Sequence, residues 1–182
     1  MQLKPSVRQA EMGVTIHFEG RLHDQEAFAR AMEAARSFAD QNGWHHVPLA
    51  KEMATLTRTR GEEDWDYVGP TSGVTISPHD DCDPLHLEFD RDLYVQEFVK
   101  TQFAPPIVHM RIIELLRRIA PEFDDLQVDD EAEYWPTSEE ALLEAHRQAF
   151  VQAFEEALKE NPRLAGPFRL PDGRMVDLME QE

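Results

Sequence analysis

Hydrophobic and polar positions alternate near the beginning of the chain and then change to a helical spacing. Residues 13–18 place every second apolar side chain on one face, which is typical of a half-buried strand. Residues 24–41 carry apolar side chains every three or four positions, which predicts an amphipathic helix. Asp24 is the expected N-cap of this helix, and Asn42-Gly43 is its expected end.

The pattern in the middle of the chain is less regular. Residues 44–72 and 91–104 do not specify a conformation, although 56–60 fits a short strand with its arginines facing outward. The glycines and proline of residues 69–73 predict a turn. Strict alternation returns in residues 85–89, which predicts a strand.

Two longer amphipathic stretches follow in the second half. The clearest predicted helix begins at Pro106, which suits a first helical turn. A second helix is predicted over residues 138–160, with Thr137 and Glu140 three positions apart as a capping box. The turn residues 171–173 then predict a terminal hairpin.

These patterns together predict one α+β domain over residues 1–182, with residues 1–10 and 176–182 frayed. We expect a mixed or mainly antiparallel sheet of about five strands, with two or three amphipathic helices on one face. The helices from Pro106 and Ser138 should form most of the helical layer. The expected core residues are Val14, Ile16, Phe28, Met32, Leu85, Leu87, Phe89, Ile112, Leu116, Phe150 and Phe154.

Charge narrows the range of partners. The chain has 36 acidic and 18 basic residues and a formal net charge of -18, which repels nucleic acid and anionic membranes. No apolar run approaches the roughly 20 residues of a membrane-spanning helix. The single cysteine excludes an internal disulfide and fits a reducing compartment. We therefore expect a soluble cytoplasmic protein with neither a nucleic-acid nor a membrane partner.

The densest group of reactive side chains lies in residues 77–90, which contain the only cysteine, Cys82. The spacing His79-x-x-Cys82 brings an imidazole and a thiol near enough to bind one soft cation, with Asp83 as a third ligand. If the loop binds a cofactor, a divalent metal is the one that these residues suit, although a lone His-x-x-Cys spacing often occurs by accident. The alternative is a polar turn whose aspartates cap backbone N–H groups, with Cys82 as a small buried residue.

The strand after this loop carries polar residues on one face. His86, Glu88 and Asp90 stand two positions apart, so they share a surface. In a cleft they would form an acid–base pair, whereas facing water they would be an ordinary outer face of an antiparallel sheet, which is the commoner case. The candidate binding residues are Asp80, Asp81, His86, Glu88, Asp90, Asp129, Asp130 and Glu131.

The sequence contains no motif that names a reaction. It has no Gly-rich phosphate loop, no nucleophile elbow and no His-Glu-x-x-His helix. The expected function is that of an acidic binding or regulatory protein, inhibitor-like or antitoxin-like, that engages a basic protein partner. Its acidic surface, above all residues 122–144, motivates this expectation. The alternative is a metal-dependent hydrolase centred on the His79-x-x-Cys82 loop.

Overall fold

The computed structural model describes residues 14–60 and 63–181, so Gly13 of the first predicted strand and the expected frayed segment 1–10 lie outside the described residues. The fold is α+β with antiparallel sheets, as expected. In chain order the elements are β1 (Thr15–Arg21), α1 (Gln25–Gln41), β2 (His45–Arg60), β3 (Glu63–Ser77), β4 (Leu85–Phe89), β5 (Tyr94–Lys100), α2 (Pro106–Ile119), β6 (Gln127–Asp130), α3 (Tyr134–Thr137), α4 (Glu140–Glu160), β7 (Leu164–Ala165), β8 (Phe168–Arg169), β9 (Met175–Val176) and β10 (Met179–Glu180).

Two three-stranded sheets form the centre of the fold. One has the order β5-β1-β6 and the other β2-β3-β4, and every neighbouring pair is antiparallel. The predicted terminal hairpin is confirmed as β8 paired with β9, while β10 pairs with β7 at the segment where a frayed end was expected. The described strands thus outnumber the five that the sequence pattern predicts.

Strands β2 and β3 form a long hairpin, paired from His45 opposite Ser77 to Arg60 opposite Glu63. The predicted turn at residues 69–73 is wrong, because β3 runs through it without a break. A Cβ on Gly73 would overlap the carbonyl oxygen of Leu87 in β4. The glycine therefore marks a close approach of two backbones rather than a chain reversal.

The ends of α1 follow the sequence signals, whereas the start of α4 does not. The side chain of Asp24 accepts a hydrogen bond of 2.8 Å from the N–H of Ala27, and Gly43 has a positive φ of 67°. The predicted capping box of α4 is wrong. Thr137 donates its hydroxyl to the carbonyl of Glu133, and α4 begins after Glu139 without a side-chain cap.

The helical layer differs from the expected one. Helices α1 and α2 pack together on the main core, whereas α4 contributes to a smaller cluster around Val14 and Phe150. The two helices differ in the width of their apolar faces. Helix α1 buries six residues, whereas α4 buries only Leu143 and Phe150, so α4 covers less of the core. The expected core is confirmed except for Phe28 and Phe154, which are partly buried. None of the described helices combines the length and apolarity needed to cross a bilayer.

Candidate binding cleft

The free edge of β5 is covered by side chains rather than by another strand. Arg58 of β2 donates to the carbonyl oxygens of Gln96 at 3.0 Å and Tyr94 at 3.3 Å. Arg174 donates to the next outward carbonyl, that of Phe98, at 2.8 Å. These guanidinium groups satisfy acceptors that an open strand edge would otherwise leave exposed.

Two aspartates complete the same edge by accepting from its N–H groups. The Asp90 carboxylate accepts from the N–H of Tyr94 at 3.0 Å, and the Asp83 carboxylate accepts from the N–H of Lys100 at 3.1 Å. We call Arg58, Asp83, Asp90 and Arg174 the polar seam. The polar seam joins the two sheets where β5 lies beside β2 and β4. Its charged groups therefore stabilise the contact between the sheets.

Arg58 is the least exposed cation of the polar seam. Its side chain is 1% exposed, lies 3.8 Å from Asp90 and stacks over the ring of Tyr94. Its Nε has no hydrogen-bond partner among the described residues. The expectation that the arginines of residues 56–60 face outward is therefore wrong for Arg58, because β2 folds back over β5 and buries it.

The loop predicted to hold a metal is divided between the core and the surface. Cys82 is 1% exposed, and burial together with the charge of Asp83 raises the pKa of its thiol. His79 stays at the surface, where its Nδ1 accepts from the N–H of Asp81 at 3.0 Å. Within residues 14–60 and 63–181, no three His, Cys, Asp or Glu side chains are grouped to hold a metal ion. The metal site stays a prediction.

The third expected ligand, Asp83, is fully buried and bound to backbone on both carboxylate oxygens. Besides Lys100, it accepts from the N–H of Met175 at 2.6 Å. Burial raises the pKa of the Asp83 carboxyl, while these hydrogen bonds and the charge of Arg174 act in the opposite direction. This agrees with the alternative in which aspartates of the loop cap backbone groups.

The polar face of β4 is not an ordinary solvated face. Glu88 is 4% exposed and accepts from Lys51 at 2.9 Å and from the hydroxyl of Thr71 at 2.6 Å. His86 bonds to Thr75, and burial, reinforced by the charge of Arg174, lowers its pKa to about 4. Thr71 and Thr75 belong to the neighbouring strand β3, whereas Lys51 comes from β2 and Arg174 from the C-terminal segment. The face is therefore partly covered by chain that is distant in sequence.

The remaining predicted binding residues fall into two groups. Asp80, Asp81 and Asp129 are exposed. Asp130 is buried against His109 at 3.2 Å, and Glu131 accepts from the N–H of Thr15 at 2.8 Å. Burial alone would raise the pKa of Asp130, but the hydrogen bonds from His109 and two backbone N–H groups leave it below its ordinary value. Asp130 and Glu131 thus hold the fold together around β1.

An open groove of about 840 Å³ lies between β2 and the outward face of the β5-β1-β6 sheet. Its floor includes His17, Glu19 and Phe98, and residues 55–59 of β2 form one wall. A second groove of about 580 Å³ continues from it and shares Glu19 and Arg58 with it. We refer to the two grooves together as the cleft.

Apart from the paired charges of the polar seam, most charged residues that line the cleft are acidic. Arg58 and Arg174 lie against carboxylates, at 3.8 Å from Asp90 and 2.7 Å from Glu97 respectively. Arg21 is then the other cation among the described lining residues. The acidic lining residues outside these pairs are Glu19, Asp92, Asp124, Asp125 and Asp129.

Aromatic side chains stand among these carboxylates. Trp65 is 46% exposed, and Tyr94 and Phe98 are half-buried. Arg58 stacks over the ring of Tyr94 at 5.3 Å, and Arg174 stacks over the ring of Phe98 at 4.3 Å. Trp65 is therefore the exposed ring of the lining that can add to the attraction of the carboxylates for a cation. The carboxylates of the lining can attract cationic side chains.

Sequence reasoning found only part of the cleft. Asp90 was expected as a binding residue, and Asp124, Asp125 and Asp129 lie in the acidic stretch 122–144 that was expected to form the binding surface. Glu19 and Asp92 carried no signal of their own. The sequence did contain one signal for Arg58. The threonines at positions 57 and 59 share one face of the strand, so Arg58 between them must lie on the other face.

A comparison of the chain with protein-family models, with curated proteins and with solved structures found no significant match.

Proposed function

We propose that this protein is a non-catalytic binding protein whose cleft receives a basic surface of a protein partner. The observation that carries the proposal is the excess of carboxylates around the cleft. Among the described lining residues, Arg21 is the one arginine or lysine outside the polar seam. An inhibitor-like or antitoxin-like role is the concrete form of this function.

The charge distribution supports fast and salt-sensitive association. Asp124, Asp125 and Asp129 are all exposed, so their charges act through solvent on an approaching partner. Such steering weakens as salt shortens the screening length to about 8 Å at physiological ionic strength. The aromatic residues of the cleft then supply contact area after the encounter.

A defined cationic probe tests the proposal. The probe is an acetylated and amidated heptapeptide in which lysine alternates with valine, and its counterpart replaces lysine with glutamate. Calorimetry at low ionic strength should detect the lysine peptide and not the glutamate peptide, and the affinity should fall as salt is added.

Two variants with the same change in net charge separate the cleft from the overall charge. The cleft variant is Asp124→Asn, Asp125→Asn and Asp129→Asn. The matched variant is Glu155→Gln, Glu156→Gln and Glu160→Gln on the exposed side of α4. The cleft variant should lose about tenfold in affinity, and the matched variant less than about twofold. Equal losses, or no binding of the lysine peptide by the unmodified protein, would contradict the proposal.

A further inference from the structure

The edge of β2 that lines the cleft points its backbone groups into open space. The side-chain amide of Gln96 accepts from the N–H of Thr59 at 2.7 Å and donates to its carbonyl at 2.8 Å. Both backbone groups of Thr59 therefore point away from β3. The pairing with β3 is regular from Ala54 to Arg60, so the groups of Thr57 and Thr55 point the same way.

This edge is protected at both ends but not between them. Pro48 lacks an N–H and sits in the first half of β2, and the register shifts between Lys51 and Ala54. Proline and bulges are devices that keep another strand from pairing. At the far end the side-chain amide of Gln96 already bonds the outward N–H and carbonyl of Thr59. Among the described residues, no hydrogen bond to the outward backbone groups of Thr55 and Thr57 occurs.

The unprotected stretch coincides with the acidic cleft. An added strand would lie about 4.8 Å from β2, which places it in the groove beside residues 55–59. Alternate side chains of that strand would face the floor, where Glu19 and Phe98 lie. The amide of Gln96 already makes the pair of hydrogen bonds that a peptide group of such a strand would make.

We infer that the partner inserts an extended, lysine-rich or arginine-rich segment that pairs with Thr55 and Thr57 as an additional strand of the β2-β3-β4 sheet. The inference rests on the proposed function and specifies its mode of recognition. Main-chain pairing provides the affinity, and the acidic floor selects cations at alternate positions.

Amide hydrogen exchange of the full chain with the alternating lysine–valine peptide tests this mode directly. The N–H groups of Thr55 and Thr57 should exchange rapidly without peptide and about tenfold more slowly when roughly nine-tenths of the protein is occupied. The N–H groups of Leu56 and Arg58 already bond to β3, so their exchange serves as the internal control.

A pair of substitutions gives an independent measurement. Thr57→Pro removes the outward N–H without removing a bond to β3, whereas Thr57→Val keeps that N–H. Both remove the hydroxyl that donates to Asp66. Peptide affinity should fall about tenfold in Thr57→Pro and stay within about twofold in Thr57→Val.

The outcomes distinguish this inference from the proposed function. Peptide binding that depends on the cleft carboxylates but leaves the exchange of Thr55 and Thr57 unchanged would overturn strand addition alone. Absence of peptide binding would overturn both. If Thr57→Pro does not fold, the exchange measurement on the unmodified protein decides the matter.

Discussion

The guanidinium of Arg58 lies 3.8 Å from the carboxylate of Asp90, and the two side chains are only 1% and 4% exposed. Arg58 lies in β2 and Asp90 directly follows β4 of the same sheet. The guanidinium bonds two carbonyl oxygens of β5, and the carboxylate accepts from the N–H of Tyr94 in β5. This pair therefore holds β2 over the β5-β1-β6 sheet and forms one side of the cleft.

Arg58→Met should lower the free energy of unfolding by about 3–5 kcal/mol, because it leaves Asp90 as a buried charge without its cation. Arg36→Met, at a partly exposed ion pair with Glu33, should cost less than about 1 kcal/mol. Urea denaturation of the two variants measures both values. A cost below about 1 kcal/mol for Arg58→Met would show that the polar seam does not hold the sheets together.

His86 should titrate far below an ordinary histidine. Its pKa is lowered to about 4, mainly by burial, so NMR of its imidazole should show a midpoint near that pH. Between pH 6.5 and about 4 the unfolded chain takes up this proton before the folded chain does, so the free energy of unfolding should fall as pH falls through this window. His86→Gln should remove that part of the pH dependence, and a measured midpoint at pH 6 or above would contradict the burial argument.

Cys82 should be chemically silent in the folded protein. Burial raises the pKa of its thiol, which suppresses the reactive thiolate and limits access of a reagent. A chromogenic disulfide reagent should label the native protein negligibly and the urea-unfolded protein with one equivalent. Ser77→Cys, at an exposed position, is the positive control. Rapid labelling of Cys82 in the native state would disprove its assignment to the core.

Two glycines should respond differently to alanine. Gly43 has a positive φ and nothing near its would-be Cβ, so Gly43→Ala should cost about 1–2 kcal/mol for the left-handed conformation. In Gly73→Ala the new methyl would overlap the backbone of Leu87, so the cost should reach about 3 kcal/mol or more. Thermal or urea unfolding compares them. Equal costs would mean that β3 and β4 move apart without penalty.

Several elements could be predicted because their signals are local. The helix from Asp24, the strand over residues 85–89 and the helix from Pro106 each combine regular spacing with an end signal within a few residues. The β2-β3 hairpin could not be predicted, because its glycines resemble a turn. Only the approach of Leu87 shows why a glycine stands at position 73.

Only part of the candidate site could be predicted from the sequence. Residues 77–90 do contain important ionisable groups, but Asp83 and Asp90 cover the edge of β5 rather than form a reactive centre. Their role depends on Arg58 and Arg174, which are distant along the chain. Spacing within a loop carries no information about such partners.

Residue order alone was sufficient for the α+β class, the main helices and the acidic character of the chain, because periodicity and charge are properties of neighbouring residues. The position of β2 over β5 depended on the tertiary structure, since Arg58 and Gln96 are 38 residues apart. The same long-range packing turned an expected solvated face of β4 into a buried one and created the cleft. Burial, which sets the role of each charge, is decided by chain segments that meet only in the folded protein.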